Sequence, residues 1–353
     1  MSRIYLDHAA TTPLRPEAAA AMAEGFAIWA NPSSPHAEGR KARAALEDAR
    51  ARVKAALRWE GEVIFTSGAS EAAALALNGA NAGQRMLGAT EHDALRRAAP
   101  DALILPVLPD GALDLDALEA ALRAHPGALV AVQALNSETG NWLDLPEIFD
   151  RVEEADGLLL FDSSQAAGKY KFNKWGDIGI IAAHKFGGPV GVGALLVRDY
   201  AMLAPTGGHE RGYRRGTENL PGVLGMAAAL EAGGEPYLAW DNGAVLRDFA
   251  ARVRAVGGTW LGDRLDRPTA YIHAIAMPGL SGTAQVMRFD MMGFAVSQGS
   301  ACSSGSMKSS AVLAAMGVEP DVADRTIRVS LGWNTTRAEV EAFADAWVAM
   351  AGG

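Results

Sequence analysis

From Glu62 to Val197 the chain alternates short apolar runs with amphipathic stretches, and this alternation constrains the fold more than any other feature. The runs are Val63–Phe65, Met86–Gly88, Leu103–Val107, Leu129–Val132, Leu158–Phe161, Ile178–Ile181 and Val192–Val197. Segments such as Asp114–Arg123 and Leu145–Glu154 lie between them and are apolar on one helical face. Runs without polar alternation suit strands buried on both faces, and strands alternating with helices need crossover connections. The expected fold class is therefore α/β: a mostly parallel central sheet with helices on both faces.

The flanks read differently. Pro16 to about Arg58 is rich in Ala, Arg and Glu and reads as two helices, interrupted by the rigid polar stretch Asn31-Pro32-Ser33-Ser34-Pro35. Near Gly233-Gly234-Glu235-Pro236 the alternation breaks. Beyond it come candidate strands at Tyr271–Ala276 and Ile327–Leu331 and candidate helices at Thr283–Met292 and Arg337–Met350. A chain of 353 residues allows about two domains. The expected division is a large domain over 14–233 and a smaller α+β domain made of 1–13 with 234–353.

Composition narrows the function. Hydrophobic residues at 49% and charged residues at 21% fit an ordinary globular protein. A formal charge of −9 has the wrong sign for a general phosphate-backbone binder, so direct nucleic-acid binding is not expected. No apolar run approaches the ~18 residues of a membrane span. The lone Cys302 excludes an internal disulfide and a structural zinc site built on several thiolates. Asp7 and His8 interrupt the N-terminus before any secretory apolar region forms, and the expected location is cytoplasmic.

Several segments carry chemistry. Thr66-Ser67-Gly68-Ala69-Ser70-Glu71 follows a strand-like run and opens a helix, where backbone N–H groups and the Ser70 hydroxyl can meet an anion; a plain Ser N-cap is the bland alternative. Asp162 ends an apolar run at the carboxyl edge of the sheet, where it can hold a protonated ring nitrogen or simply cap the following turn. Lys185 stands between an apolar strand and the turn Phe186-Gly187-Gly188-Pro189. A lysine drawn out of water there becomes a nucleophilic amine able to form a Schiff base, although a snorkelling strand-end lysine fits the same pattern.

Cys302 lies in the small-residue run 297–306, which suits an exposed loop and a candidate nucleophile as well as a spectator thiol. Gly207–Thr217 gathers glycines, three arginines and a hydroxyl ahead of a helix, as an anion site or as basic loop decoration. Arg328 is a lone arginine on an apolar strand, suited to a carboxylate ligand or to a structural ion pair.

An anion loop, a strand-end Asp, an embedded Lys and a carboxylate-binding Arg are the parts that hold pyridoxal 5'-phosphate with an amino acid. The chain resembles the cysteine desulfurases of the NifS/IscS type, in the class V aminotransferase group of fold-type I pyridoxal-phosphate enzymes. The resemblance runs through Tyr5–Pro13, Asn31–His36, Ser67–Glu71, Glu91-His92, Asp162 with Gln165, His184-Lys185, Gly207–Thr217, Gly299–Cys302 and Arg328–Gly332.

It implies that Lys185 binds the cofactor covalently, that His92 stacks on its ring, that Asp162 pairs with the ring nitrogen and that Gln165 bonds the phenolic oxygen. Ala69, Ser70 and His184 would bind the phosphate, with Thr217 contributed from the partner subunit of a homodimer, and Asn31 and Arg328 would hold the carboxylate of L-cysteine. Lys185 would move the Cα proton, and Cys302 would take the sulfur as a persulfide. Alanine would leave, and the sulfur would pass to a protein acceptor, an iron–sulfur scaffold or a thiolation enzyme.

Two positions depart from the pattern. Ala182 stands where relatives usually carry a phosphate-binding Ser, and Ser137 stands where they carry the second Asn of Asn-Asn-Glu-x-Gly, so weaker cofactor retention is expected. The chain also ends at Gly353, where IscS-type relatives extend further with a segment that docks the scaffold. The competing readings are a selenocysteine lyase or another class V aminotransferase, in which Cys302 is dispensable, and a non-catalytic sulfur-relay or regulatory protein.

Overall fold

A computed structural model describes residues 3–172, 175–233, 242–299 and 310–352. The strands are β1 (Ile4–Tyr5), β2 (Glu62–Thr66), β3 (Arg85–Gly88), β4 (Leu103–Leu105), β5 (Leu129–Gln133), β6 (Leu158–Asp162), β7 (Ile178–Ala182), β8 (Gly193–Val197), β9 (Thr259–Trp260), β10 (Ile272–Ala276), β11 (Phe294–Ala295) and β12 (Thr326–Ser330). The helices are α1 (Pro16–Ile28), α2 (Ala37–Leu57), α3 (Ala69–Gly79), α4 (Asp93–Ala98), α5 (Leu115–Ala124), α6 (Leu145–Glu154), α7 (Leu220–Ala232), α8 (Asn242–Ala255), α9 (Gly282–Met291), α10 (Ala311–Ala315), α11 (Pro320–Asp324) and α12 (Arg337–Gly352).

The alternating region builds a seven-stranded sheet in the order β2-β8-β7-β6-β5-β3-β4. Every pairing is parallel except those of β8, which runs antiparallel to both β2 and β7. The mostly parallel sheet expected from the sequence is thus present. β5, β7 and β8 are buried along their whole length, because apolar groups cover both sides of the sheet. One apolar cluster includes Val130, Phe161 and Ile181, and another includes Leu129, Leu160 and Ile180. Adjacent residues on one strand thus serve opposite faces, as the pleat requires.

The two expected N-terminal helices form on either side of the Asn31–Pro35 interruption. α1 ends at Trp29 in the left-handed conformation, and α2 begins where the His36 ring accepts the Gly39 N–H. The expected strands and helices of the C-terminal part also form. β10 pairs antiparallel with β12 and β9. The domain junction expected near 233–236 falls largely outside the described residues.

The N-terminal segment ties this second sheet to the first. β1 pairs with β11, the Ser330 N–H donates to the Leu6 carbonyl at 2.8 Å, and the Ala9 N–H donates to Ser330 Oγ at 2.9 Å. Farther on, the Thr12 and Arg15 N–H groups donate to the carbonyls of His184 and Gly187, both at 2.8 Å. Residues 4–15 therefore form a strap across the turn that carries Lys185. Gly332 lets the strap lie close: a Cβ there would fall 1.9 Å from His8 Nδ1.

Among the described residues no helix is long and apolar enough to cross a membrane.

Candidate active site

β2, β3, β5, β6 and β7 are mutually parallel in direction and end at one edge of the sheet, which gathers residues distant in sequence. The turn after β2 delivers Ala69 and Ser70, the turn after β3 delivers His92, β6 ends on Asp162, and β7 leads into a single 3-10 turn, Ala183–Lys185. Antiparallel β8 starts at that edge. Its Gly193 permits the β2 turn to approach, since a Cβ would lie 2.7 Å from Gly68 Cα.

Lys185 Nζ donates to the carbonyls of Ala9 at 2.7 Å and Ala10 at 2.9 Å. Gln165 Nε2 donates to the same Ala9 carbonyl at 2.8 Å. The amine and the amide thus converge on one acceptor, so the sequence-predicted pair is brought together by the strap. The His184 ring lies beside Thr11, Nδ1 to Oγ1 at 3.2 Å. Burial and the neighbouring cations Lys185 and Lys169 lower its pKa to about 4, which keeps it neutral at pH 7.

Asp162 is buried, and its Oδ1 accepts the Ser164 N–H at 2.9 Å, so it does cap the turn that follows. In the β5/β6 register it stands opposite Gln133, whose N–H donates to Glu91 Oε1 at 2.9 Å. Burial raises the Glu91 carboxyl well above the usual range, and the Asp162 charge adds to the shift. The next residue, His92, is exposed and caps α4 by accepting the Ala94 N–H on Nδ1 at 3.1 Å.

The start of α3 differs from a plain Ser cap. Its N-cap is Gly68, with φ near +151° and no side-chain cap, and Ser70 is the second helical residue. Space for a Cβ at Gly68 is open to beyond 4 Å, so the first-turn N–H groups face a cradle rather than a side chain. Glu71 turns aside to accept from Ser67 N–H and from Arg214 Nε at 3.1 Å, which attaches the 207–217 segment to α3.

Arg328 takes the ion-pair form: one terminal nitrogen lies 2.8 Å from Asp7 Oδ1, and the other donates to the Ser137 carbonyl at 2.9 Å. Ser137 therefore enters the site through its backbone. Glu138 is buried beside it, feels the charges of Arg328 and His92, accepts from Ser310 Oγ at 2.5 Å, and has its pKa raised by burial. Asn31 and Thr217 are exposed. Asn31 Oδ1 accepts the Ser33 N–H at 2.8 Å. Their neighbours Pro32, Ser33 and Glu218 help line a cavity of about 740 Å³ that also borders Gly208–Arg211. Cys302 lies outside the described residues.

Five contributors have no role assigned from the sequence: the carbonyls of Ala9 and Ala10, and the side chains of Glu91, Glu138 and Lys169. Glu91 stood beside a recognised histidine and was available as a signal. Lys169 lies in Gly168-Lys169-Tyr170-Lys171 and looks like a surface turn.

Whether pyridoxal phosphate suits these residues can be judged from the polar groups themselves. An amine on backbone carbonyls, an amide donor beside it, a buried strand-end carboxylate and a helix N-terminus without a side-chain cap match an aldehyde, a phenolic oxygen, a ring nitrogen and a phosphate in turn. The group fits.

The chain belongs to the aminotransferase class-V family, whose model matches residues 4–343. Among curated proteins it is 37% identical to a cysteine desulfurase of Cereibacter sphaeroides, over 97% of this chain and 94% of that one. A solved NifS-like protein superposes with a TM-score of 0.87 at 26% identity, covering 99% of both chains. SspA, solved in complex with cysteine, superposes at 0.78 with 27% identity, over 94% of this chain and 99% of that one. The NifS/IscS resemblance and the fold-type I architecture are borne out.

Proposed function

We propose that this chain is a pyridoxal-phosphate-dependent cysteine desulfurase, which converts L-cysteine to L-alanine and leaves the sulfur on Cys302. The observation that carries the reading is the convergence of Lys185 Nζ and Gln165 Nε2 on the Ala9 carbonyl at the carboxyl edge of the sheet. The cysteine desulfurases among its relatives support the substrate.

When bound, the cofactor supplies an electron sink for the substrate α-carbon. The chain's residues do the rest. Lys185 would hold the cofactor covalently through Nζ, and the same amine would move the Cα proton of the substrate. Asp162 would keep a proton on the ring nitrogen, Gln165 would donate to the phenolic oxygen, and His92 would stack on the ring. Ala69, Ser70 and His184 would meet the phosphate, with Ser137 on the same side of the site and Thr217 contributed by a second copy. Asn31 and Arg328 hold the substrate carboxylate, Arg328 exchanging an Asp7 or Ser137 contact to do so.

The Cys302 thiolate attacks the substrate sulfur. A sulfur–sulfur bond forms as the carbon–sulfur bond breaks, its electron pair stays with carbon, and carbon takes up a proton. A protein thiol then removes the terminal sulfur by exchange. Residues 14–233 act as the cofactor-binding unit and 1–13 with 234–353 as the smaller unit, in a cytoplasmic homodimer. The exposed Phe26 and Trp29 at the end of α1, 66% and 77% accessible, support a second copy on that face.

The test is incubation of the cofactor-loaded protein with L-cysteine and a reductant. Alanine should appear with the wild type and not with Lys185→Ala. A keto acid product would refute the desulfurase reading and favour an aminotransferase.

A further inference from the structure

Among the described residues, Lys169 is the one buried lysine that the proposed chemistry leaves without a task. Its side chain is 7% accessible. The turn that carries it is fixed against the Lys185 segment: Gly168 has φ +71°, and a Cβ there would lie 2.8 Å from the Phe186 Cβ. Lys169 Nζ donates to Gln165 Oε1 at 3.2 Å and lies 5.3 Å from the centre of the Tyr271 ring. The Tyr271 hydroxyl in turn donates to the Gln165 carbonyl at 3.3 Å. Gln165 is thus gripped at its backbone by Tyr271, at Oε1 by Lys169, and at Nε2 by the Ala9 carbonyl that Lys185 shares.

We propose that Lys169 is a positioning residue: by donating to Gln165 Oε1 it fixes the rotamer and the polarity of that amide, so that Nε2 stays turned toward the Lys185 pocket. The inference rests on the proposed function, in which Gln165 meets the phenolic oxygen of the cofactor. An amide with the opposite orientation would set its oxygen against the Ala9 carbonyl and its NH₂ toward an amine. When a cofactor draws Nε2 away from Ala9, the Lys169 contact is the one that still holds the side chain.

The groups that face Lys169 are Lys185 from the 3-10 turn, Arg328 from β12, and His8 and His184, whose pKa values its charge helps lower. Burial first, then the charges of Lys185 and Arg328, push the Lys169 amine well below its ordinary pKa. The amine carries N–H donors whether or not it holds its extra proton, so the contact to Oε1 does not need the charge.

The experiment titrates the visible absorbance of the cofactor-loaded protein against pH in wild type, Lys169→Met, Gln165→Leu and the double variant, with Kd for pyridoxal phosphate measured alongside. Losing a donor to the phenolic oxygen favours the protonated form of the neighbouring nitrogen. Lys169→Met should therefore raise the midpoint by about half to one pH unit, the size of one hydrogen bond. In the Gln165→Leu background the same change should shift nothing, and Lys169→Arg, which keeps donors, should restore most of the wild-type midpoint.

A shift that persists in the Gln165→Leu background would mean that Lys169 acts directly through its charge, and would overturn the proposal. An unchanged midpoint in Lys169→Met would overturn it as well. Should that variant not fold, Lys169→Leu and Lys169→Gln are read by the same criteria, with the donor-bearing Gln nearer to wild type. A wild-type protein that takes up no pyridoxal phosphate would overturn the functional reading and this inference together, whereas a loaded wild type with additive variants defeats this inference alone.

Discussion

Replacing the Glu210 carboxylate by an amide should cost about 3 kcal/mol of folding stability, near the lower end of what breaking a buried ion pair costs. Glu210 lies in the 207–217 segment with its side chain only 1% accessible. It binds Arg50 in two places, at 2.8 and 3.1 Å, and accepts the Phe65 N–H at 2.8 Å. The Arg50 guanidinium also stacks over the Phe65 ring at 4.6 Å. Glu210→Gln keeps the shape but leaves the Arg50 charge buried and turns one donor toward other donors.

The loss is limited because Arg50 retains Glu47 at 3.2 Å, on a side chain 44% accessible, and the Val63 carbonyl. Urea unfolding followed by circular dichroism and tryptophan fluorescence measures the change. Removing both partners, Arg50→Met with Glu210→Leu, should recover part of that loss, because no charge is then left buried alone although the Phe65 N–H loses its acceptor. A Glu210→Gln loss below 1 kcal/mol, with the double variant simply additive, would refute the claim that this buried pair anchors the segment.

Other outcomes follow from the same physics. Gly332→Ala must displace either the strap or His8, and should lower stability by about 1–3 kcal/mol, read as a fall in Tm; an unchanged Tm would deny the close approach. His273 is buried on β10 with its pKa lowered to about 4, so the unfolded chain takes up a proton that the folded one does not as pH falls from about 6.5 to 4. Its contribution is present above that window and lost within it, and His273→Gln should remove up to about 3 kcal/mol of the acid sensitivity; identical pH profiles would contradict this. Restoring two polar contacts with Ala182→Ser and Ser137→Asn should tighten pyridoxal-phosphate retention about 10- to 100-fold by equilibrium dialysis, and equal Kd values would show that neither position matters.

The sheet was legible because parallel strands are buried on both faces and leave unbroken apolar runs. Val192–Val197 gave no sign that β8 runs against its neighbours, since strand direction leaves no trace in an apolar run. The two-residue strands β1 and β11 were illegible for a different reason: they exist only by pairing residues almost 300 apart, Ile4 with Phe294.

In the site, Lys185 and Asp162 stood out because a charged group ends an apolar strand. Arg328 stood out for the same reason, yet its partner Asp7 lies 321 positions away and no local pattern names it. Lys169 was hidden because burial of a turn lysine depends on Tyr271 and the strap closing over it.

The measurement that bears most directly on the central claim is the ratio of alanine to sulfide formed from L-cysteine under reductant, by the wild type and by Cys302→Ala, with mass spectrometry of the protein before reductant is added. The account predicts equal amounts of the two products from the wild type, neither from the variant, and one extra sulfur on the peptide containing Cys302. Undiminished alanine from Cys302→Ala, or an unmodified Cys302 in an active wild type, would contradict it.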